Sequence, residues 1–361
     1  MIEANPNIAA MDAYQLPDIS APEGVTPIVL AQNEHSRPPS QRVRDAIEAA
    51  IGDAHLYADT NCSELRAAIA RVHDLDSDRV FCGSGSMELM SVLVQCYLSS
   101  KDRILMSSYS YLFMRTLARM VGATVDIAAE PKLTVNVDAL LDAVMSDTRM
   151  VFVVNPGNPC GTVIPDSEIR RLRDGLPENV ILLIDEAYAE FVAPEDSQPL
   201  FDLVDRGNTV ITRTFSKIYG LAGLRVGWGY FPAHILHEMR KVLLPGGVAW
   251  LSQAAARAAI EDREAMQQAR QENAQQRALL VQGLDELGLL AANSHTNFVL
   301  AEFGSNEKAK SAFDALRSEG IIVRPMGGYG LPSCLRITVS LEAHMQQTLR
   351  ILQDWKATTG S

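Results

Sequence analysis

From Gln41 onward the chain alternates stretches of helical spacing with short apolar runs, and no other feature restricts its fold as strongly. Helical patterns over Arg42 to Ile51 and Ser63 to Val72 lead into a series of runs: Val80-Phe81-Cys82, Arg103 to Met106, Thr124 to Ile127, Met150 to Val154, Val180 to Ile184 and Thr209 to Thr212. Strands that alternate with helices pair in parallel, and a parallel sheet needs helices on both faces to bury it. The expectation is an α/β architecture built on such a sheet. The first forty residues are rich in proline and asparagine and lack periodicity, which predicts an irregular arm over residues 1–40 lying on the body. Between roughly Trp250 and Leu290 a Gln/Ala/Glu/Arg-rich, proline-free segment suits one long helix linking two domains. Beyond Asn297, the run Phe298 to Ala301, a helix over Asn306 to Ser318, runs at Ile321 to Arg324 and Cys334 to Val339 and a last helix from Leu341 read as a small α/β unit. The division is an arm (1–40) packing on the small domain, a large domain (41–285) and a small C-terminal domain (286–361).

Composition narrows the function classes. A net charge of -12 over 361 residues argues against nucleic acid as a partner, because a phosphate backbone calls for a clustered cationic surface. The five cysteines are odd in number, scattered and never in a C-x-x-C pair, so neither a disulfide framework nor a zinc site is indicated. His234 and His237 are three apart on a helical stretch with no third ligand near them, which gives no metal site. No run reaches the ~18 apolar residues of a membrane span, and the N-terminus has no signal-peptide core; the expected setting is cytoplasmic, without a membrane partner.

In an open parallel sheet ligands gather at the carboxyl ends of the strands, and four of those ends carry unusual residues. After Val80-Phe81-Cys82 comes Gly83-Ser-Gly-Ser-Met-Glu88, where glycines let backbone approach a phosphate at a helix start; a dinucleotide fingerprint would need glycine at the position of Glu88. After Val154 comes Asn155-Pro-Gly-Asn-Pro-Cys-Gly161, whose two Asn-Pro steps rigidify a loop and aim an amide; Asn158-Pro159 is expected to be cis. After Ile184 comes Asp185-Glu-Ala-Tyr188: a buried acid needs a cationic partner, which a pyridinium nitrogen supplies, the alternative being a helix N-cap. Tyr188 is either a donor beside it or a half-buried aromatic. The fourth end carries Thr214, Ser216, Lys217 and, past several glycines, Arg225. Two hydroxyls and a guanidinium suit a dianionic phosphate, and a buried lysine beside an arginine has its charged form disfavoured, as a Schiff-base nucleophile requires; the alternative is an ordinary loop lysine.

Taken together and in this order, these motifs resemble the class I and II aminotransferases, most closely the branch containing histidinol-phosphate aminotransferase, from Tyr14 to the last helix. The resemblance implies the aspartate aminotransferase-like fold (pyridoxal-phosphate fold type I), with a mainly parallel seven-stranded sheet in the large domain. It implies pyridoxal 5'-phosphate as cofactor, Lys217 as the Schiff-base lysine, Asp185 as partner of the ring nitrogen, and Asn158 and Tyr188 as contacts to the ring oxygen. Ser86, Met87, Thr214, Ser216 and Arg225 look like the phosphate cup. Tyr57 is similar to the tyrosine that reaches the neighbouring subunit's cofactor, which implies a homodimer with shared sites. Tyr111, with Tyr109 as the alternative, matches the aromatic stacked on the ring. On the substrate side Arg336 looks like the arginine that clamps a carboxylate or phosphate, with Asn33, Tyr14 and Arg324 nearby. The implied reaction moves an amino group to 2-oxoglutarate, from histidinol phosphate as first choice or from an aromatic or specialised amino acid; a decarboxylase of the same fold would use the same lysine and aspartate. Against the branch pattern, the chain has Asn-Glu-His-Ser-Arg-Pro at 33–38, Met87 in place of an aspartate and Cys160 in place of a threonine, departures that bear on the substrate rather than the cofactor.

Overall fold

A computed structural model describes residues 2–359 apart from 12, 14–17 and 198. In chain order its helices are α1 (Pro6–Ala9), α2 (Gln41–Ala50), α3 (Ser63–His73), α4 (Ser86–Tyr97), α5 (Phe113–Met120), α6 (Val137–Asp142), α7 (Asp166–Gly175), α8 (Phe201–Asp205), α9 (Ala233–Met239), α10 (Trp250–Glu261), α11 (Arg263–Glu286), α12 (Asn306–Ser318) and α13 (Glu342–Thr359). Its strands are β1 (Ile28–Val29), β2 (Val80–Gly83), β3 (Arg103–Ser107), β4 (Thr124–Ala128), β5 (Thr148–Val154), β6 (Ile181–Asp185), β7 (Thr209–Thr214), β8 (Gly227–Tyr230), β9 (Phe298–Glu302), β10 (Ile321–Ile322), β11 (Arg324–Pro325) and β12 (Cys334–Thr338).

Seven strands form one sheet in the order β2-β8-β7-β6-β5-β3-β4. All neighbours from β7 through β4 are parallel, and β8 is antiparallel to both β7 and β2. Every apolar run named from the sequence before Trp250 is a strand of this sheet. β8 has no counterpart among those runs. Its sequence Gly-Trp-Gly-Tyr is fully buried yet half glycine, and it reads as a turn because the glycines remove the apolar signal. A Cβ at Gly227 would stand 2.2 Å from the backbone nitrogen of Ser86, so only glycine lets β8 run against the start of α4.

Helices cover both faces, as a sheet of buried strands requires. One core packs α3, α7, α8 and α10 beneath strands such as β6, where Leu182 and Ile184 are 0% exposed. The other packs α4, α5 and α9 above alternating residues of the same strands, Ile181 and Leu183 among them. The segment expected as one long helix is two: Asp262 interrupts it with φ -86 and ψ 70 and caps α11 by accepting from the Ala265 N–H at 3.2 Å.

Past α11 the chain builds a three-stranded antiparallel sheet, β11-β12-β9, and a two-stranded parallel one, β1-β10. Leu280 and Leu284 of α11 join α12 and α13 in the core beneath them. The run expected over Ile321 to Arg324 therefore splits: Ile321 and Ile322 pair with the arm, and Arg324 crosses to pair with Arg336. The arm also holds regular structure that its composition did not announce. β1 is stitched to β10, and Arg317 Nε donates to the Ser20 carbonyl at 3.1 Å, but α1 lies on α5, with Asn7 against Gly122. The arm thus touches the large sheet's helices as well as the small unit. Among the described residues no helix is long and apolar enough to cross a membrane, and no group of three His, Cys, Asp or Glu is placed to hold a metal ion.

Candidate active site

The carboxyl ends of β2, β5, β6 and β7 open on one cavity of about 380 Å³, roofed by residues 31–34 of the arm and closed on the far side by Arg324, Tyr329 and Arg336. Its first wall is the start of α4, whose leading N–H groups lack intrahelical acceptors and suit an anion. Gly85 enters this turn at φ 84, and a Cβ there would meet Arg225 Nη2 at 2.7 Å. Arg225, itself at φ 51, donates from Nη1 to Ser216 Oγ at 3.3 Å and to the Ala222 carbonyl at 3.1 Å. Thr214 Oγ1 accepts from the Ser216 N–H at 3.0 Å. A guanidinium, two hydroxyls and a helix start thus converge on one side of the cavity. Glu88, where a dinucleotide motif would need glycine, turns back to accept from the Ser84 N–H at 2.6 Å and closes the turn.

The floor carries the charged centre. Asp185 is 4% exposed and accepts from Thr212 Oγ1 at 3.0 Å; it caps no helix. Burial raises its acid group to about 7, with the Thr212 hydrogen bond and Lys217 opposing and Glu186 reinforcing the rise. Lys217 is half-buried at the end of β7, and its Nζ donates to the carbonyls of Gln32 at 3.2 Å and Asn33 at 3.3 Å. Burial and the guanidinium of Arg336 lower its ammonium to about 8, against the pull of Glu34 and Asp185. Thr212 was overlooked as a site residue in the sequence, although its two-residue spacing from Thr214 puts both on one face of β7.

Tyr188 stands between floor and far wall. Its hydroxyl oxygen accepts from Asn33 Nδ2 at 3.0 Å and from Asn158 Nδ2 at 3.3 Å, leaving its own proton to be donated elsewhere. Burial pushes that phenol up to about 12, so it stays protonated near neutrality. The Asn158 amide is oriented by its other end, where Oδ1 accepts from Arg336 Nη1 at 2.6 Å. Both Asn155-Pro156 and Asn158-Pro159 are cis, one more than expected. Arg336 also donates to the Ala31 carbonyl at 2.9 Å, and its buried Nε has no acceptor among the described residues. Asn33, at φ 55, is fixed by Thr338 Oγ1 and by the Asn297 amide, which donates to the Asn33 carbonyl at 3.1 Å.

Of the remaining candidates, Ser86, Met87, Tyr111 and Arg324 line the cavity, and the Tyr111 hydroxyl donates to the Met87 sulfur at 3.3 Å. Tyr109 lies instead in a cluster with Leu300, Met326 and Leu331, so that of the two only Tyr111 lines the cavity. Tyr57 is fully exposed and outside the cavity of its own chain. Tyr14 lies outside the described residues. Glu34 and Tyr329 line the cavity without having been singled out; Tyr329 sits in a Gly-Gly-Tyr-Gly turn that gives no chemical signal.

The model of the family described as aminotransferase class I and II matches residues 25–352. The chain belongs to that family. Among its curated relatives, the histidinol-phosphate aminotransferase of Rhodospirillum rubrum is 43% identical over 336 residues, 92% of this chain and 91% of the relative. That of Ruegeria sp. (strain TM1040) is 41% identical over 336 residues, covering 93% and 92%. In structure the aminotransferase chain is similar to histidinol-phosphate aminotransferase from Sinorhizobium meliloti in complex with pyridoxal-5'-phosphate, with TM-score 0.90, 26% identity and 98% of each chain covered. It shares its fold with aspartate aminotransferase from Thermus thermophilus, at TM-score 0.86 and 20% identity over 98% of this chain and 100% of the other.

Proposed function

We propose that this aminotransferase uses pyridoxal phosphate to move the amino group of histidinol phosphate to 2-oxoglutarate. One observation carries the choice of substrate: Arg324 and Arg336 are direct cross-strand partners on β11 and β12, and both line the cavity that Lys217 enters. Like charges placed opposite one another repel, and a doubly negative phosphate between them removes the repulsion where a single carboxylate would do so less completely. The unpartnered Nε of Arg336 supports an anionic guest at the same point. The relatives' names support the same reading.

The residues fit the cofactor group by group. Thr214, Ser216, Arg225 and the start of α4 would hold its phosphate, Asp185 its ring nitrogen, Asn158 and Tyr188 its ring oxygen, and Tyr111 with Met87 one face of the ring. When bound, the cofactor supplies an electron sink for charge developing on the substrate's α-carbon. Lys217 does the proton work: a buried amine with a depressed affinity for its proton is neutral on the alkaline side of about 8 and can take a proton from a carbon held above it. Asp185 balances a positive charge at the ring nitrogen, and Thr212 keeps its carboxylate in place. Tyr188 holds its proton and donates it to an oxygen. Arg336 and Arg324 fix the far end of the substrate, so the α-carbon is presented to Lys217 rather than left free to rotate.

This reading extends to the assembly: a cytoplasmic homodimer in which Tyr57, fully exposed on the single chain, reaches the partner's cofactor phosphate. It keeps the division into an arm (1–40), a large domain (41–285) and a small domain (286–361). Mixing the holoenzyme with histidinol phosphate and following the visible absorption of the bound cofactor tests the substrate. Rapid bleaching with histidinol phosphate and slow bleaching with phenylalanine is the expected pattern; the reverse order would overturn the substrate assignment.

A further inference from the structure

On the side of β7 away from the cavity lies a second charged cluster that the reaction does not touch. Thr212 and Thr214 face the site; Arg213, between them, faces the core, where it lies over the rings of Phe201 at 4.9 Å and Trp228 at 5.7 Å. Its Nη2 and Nε both reach one oxygen of Glu186, at 2.6 and 2.9 Å, and its Nη1 stands 3.6 Å from Glu190. All three side chains are nearly dry, 11%, 8% and 7% exposed. Glu186 follows Asp185 directly, and Glu186 and Glu190 bracket Tyr188.

We propose that Arg213 is a positioning residue: through Glu186 it fastens the segment bearing Asp185 and Tyr188 to the sheet, and Glu190, which makes no hydrogen bond to it, is only a peripheral contact. The charge count supports the asymmetry. One guanidinium cannot neutralise two carboxylates in an apolar box, and neither His73, 5.1 Å from Trp228 with its imidazolium pushed down to about 3 by burial, nor Tyr219, a phenol held neutral by burial, adds a charge to it. Burial also raises the acid group of Glu190, and its Oε1 has no hydrogen-bond partner among the described residues. Glu186 is the one gripped by two donors of a rigid fork. The geometry then explains how two groups on a chain leaving the sheet stay aimed at one ligand. The segment 185–190 is anchored at its start by Thr212 and Arg213 together, through the side chains of two consecutive residues pointing in opposite directions.

The inference rests on the cofactor reading above, and its test separates the two. Parent, Arg213→Lys, Glu186→Gln and Glu190→Gln proteins are stripped and titrated with pyridoxal phosphate. The readouts are the cofactor dissociation constant and the visible circular dichroism per unit of absorbance, which reports how the ring is held; the thermal midpoint is recorded beside them. Arg213→Lys keeps the charge and loses the fork, and Glu186→Gln removes the carboxyl that the fork grips; each is expected to weaken cofactor retention roughly tenfold or more and to cut the dichroism by about half. Glu190→Gln is expected to match the parent within about twofold on both. The proposal is overturned if Arg213→Lys and Glu186→Gln lower only the midpoint, or if Glu190→Gln does as much damage as Glu186→Gln. Should Arg213→Lys fail to fold, Glu186→Gln against Glu190→Gln decides the matter alone. A parent that takes up no colour would refute the cofactor reading instead.

Discussion

At the scale of single residues, the site is a set of opposed perturbations. Asp185 is pushed up to about 7 and Lys217 down to about 8, each chiefly by burial, so both charged forms strain against the cavity. The consequences for stability have opposite signs. Between its ordinary value of 3.8 and about 7, Asp185 keeps in the fold a proton that the unfolded chain has released, so its contribution to stability falls as pH rises. Between about 8 and 10.5, Lys217 has lost in the fold a proton that the unfolded chain still holds, so its contribution rises with pH. Urea unfolding of the cofactor-free protein should accordingly gain stability from pH 8 toward 10.5 relative to Lys217→Met, and a pH-independent difference would contradict the assignment. Asp185→Asn, which removes the countercharge while preserving shape, should lower kcat by about 100-fold or more with cofactor still bound; an Asn variant within a few-fold of the parent would remove Asp185 from the mechanism. Lys217, Asp185 and Asn158 were legible as cavity residues because each follows the carboxyl end of an apolar run, and Arg225 because it stands alone among glycines just beyond them. Thr212 and Glu34 were not, since a threonine inside a strand and a glutamate on an exposed segment are what those settings ordinarily hold.

At the scale of elements, the parallel core was readable where a strand is a continuous apolar run, as in β5 and β6, buried from end to end but for Arg149. The failures share a cause. β8 carries its packing in glycines, α10 and α11 are divided by a single aspartate whose capping role depends on its own backbone angles, and the split at Val323 follows from two sheets competing for one run. None of these leaves a periodic trace. The tight approach of β8 to α4 gives a sharp prediction. Gly227→Ala must push the start of α4 away from the sheet, because the new carbon would fall 2.2 Å from a backbone nitrogen that cannot swing aside. We expect a loss of about 3 kcal/mol in stability and a weaker hold on the cofactor phosphate, seen as a lower unfolding midpoint and a raised dissociation constant. A Gly227→Ala protein with unchanged cofactor affinity would mean that the start of α4 does not bind the phosphate.

At the scale of the whole molecule, the cavity is assembled from three parts of the chain far apart in sequence: the arm supplies the carbonyls that receive Lys217, the large sheet the floor, and the small sheet Arg324 and Arg336. The single chain leaves Tyr57 fully exposed, with Leu56 and Ile51 of the same stretch of chain about 60% exposed. The homodimer reading makes a prediction that no single-chain site allows. Lys217→Ala and Tyr57→Ala proteins, each inactive or nearly so, should recover activity when unfolded and refolded together, because half of the sites in a mixed dimer then carry both native residues; random pairing sets the ceiling near about one quarter of the parent. No recovery, with mixed dimers confirmed by mass, would place Tyr57 outside the partner's site.

The most direct test of the central claim is the yield of glutamate from histidinol phosphate and 2-oxoglutarate, measured on parent and Lys217→Ala proteins side by side. Lys217 as the proton carrier of an amino transfer predicts steady glutamate formation by the parent and a rate at least about 1,000-fold lower in the variant. Equal rates, or release of carbon dioxide in place of glutamate, would contradict it.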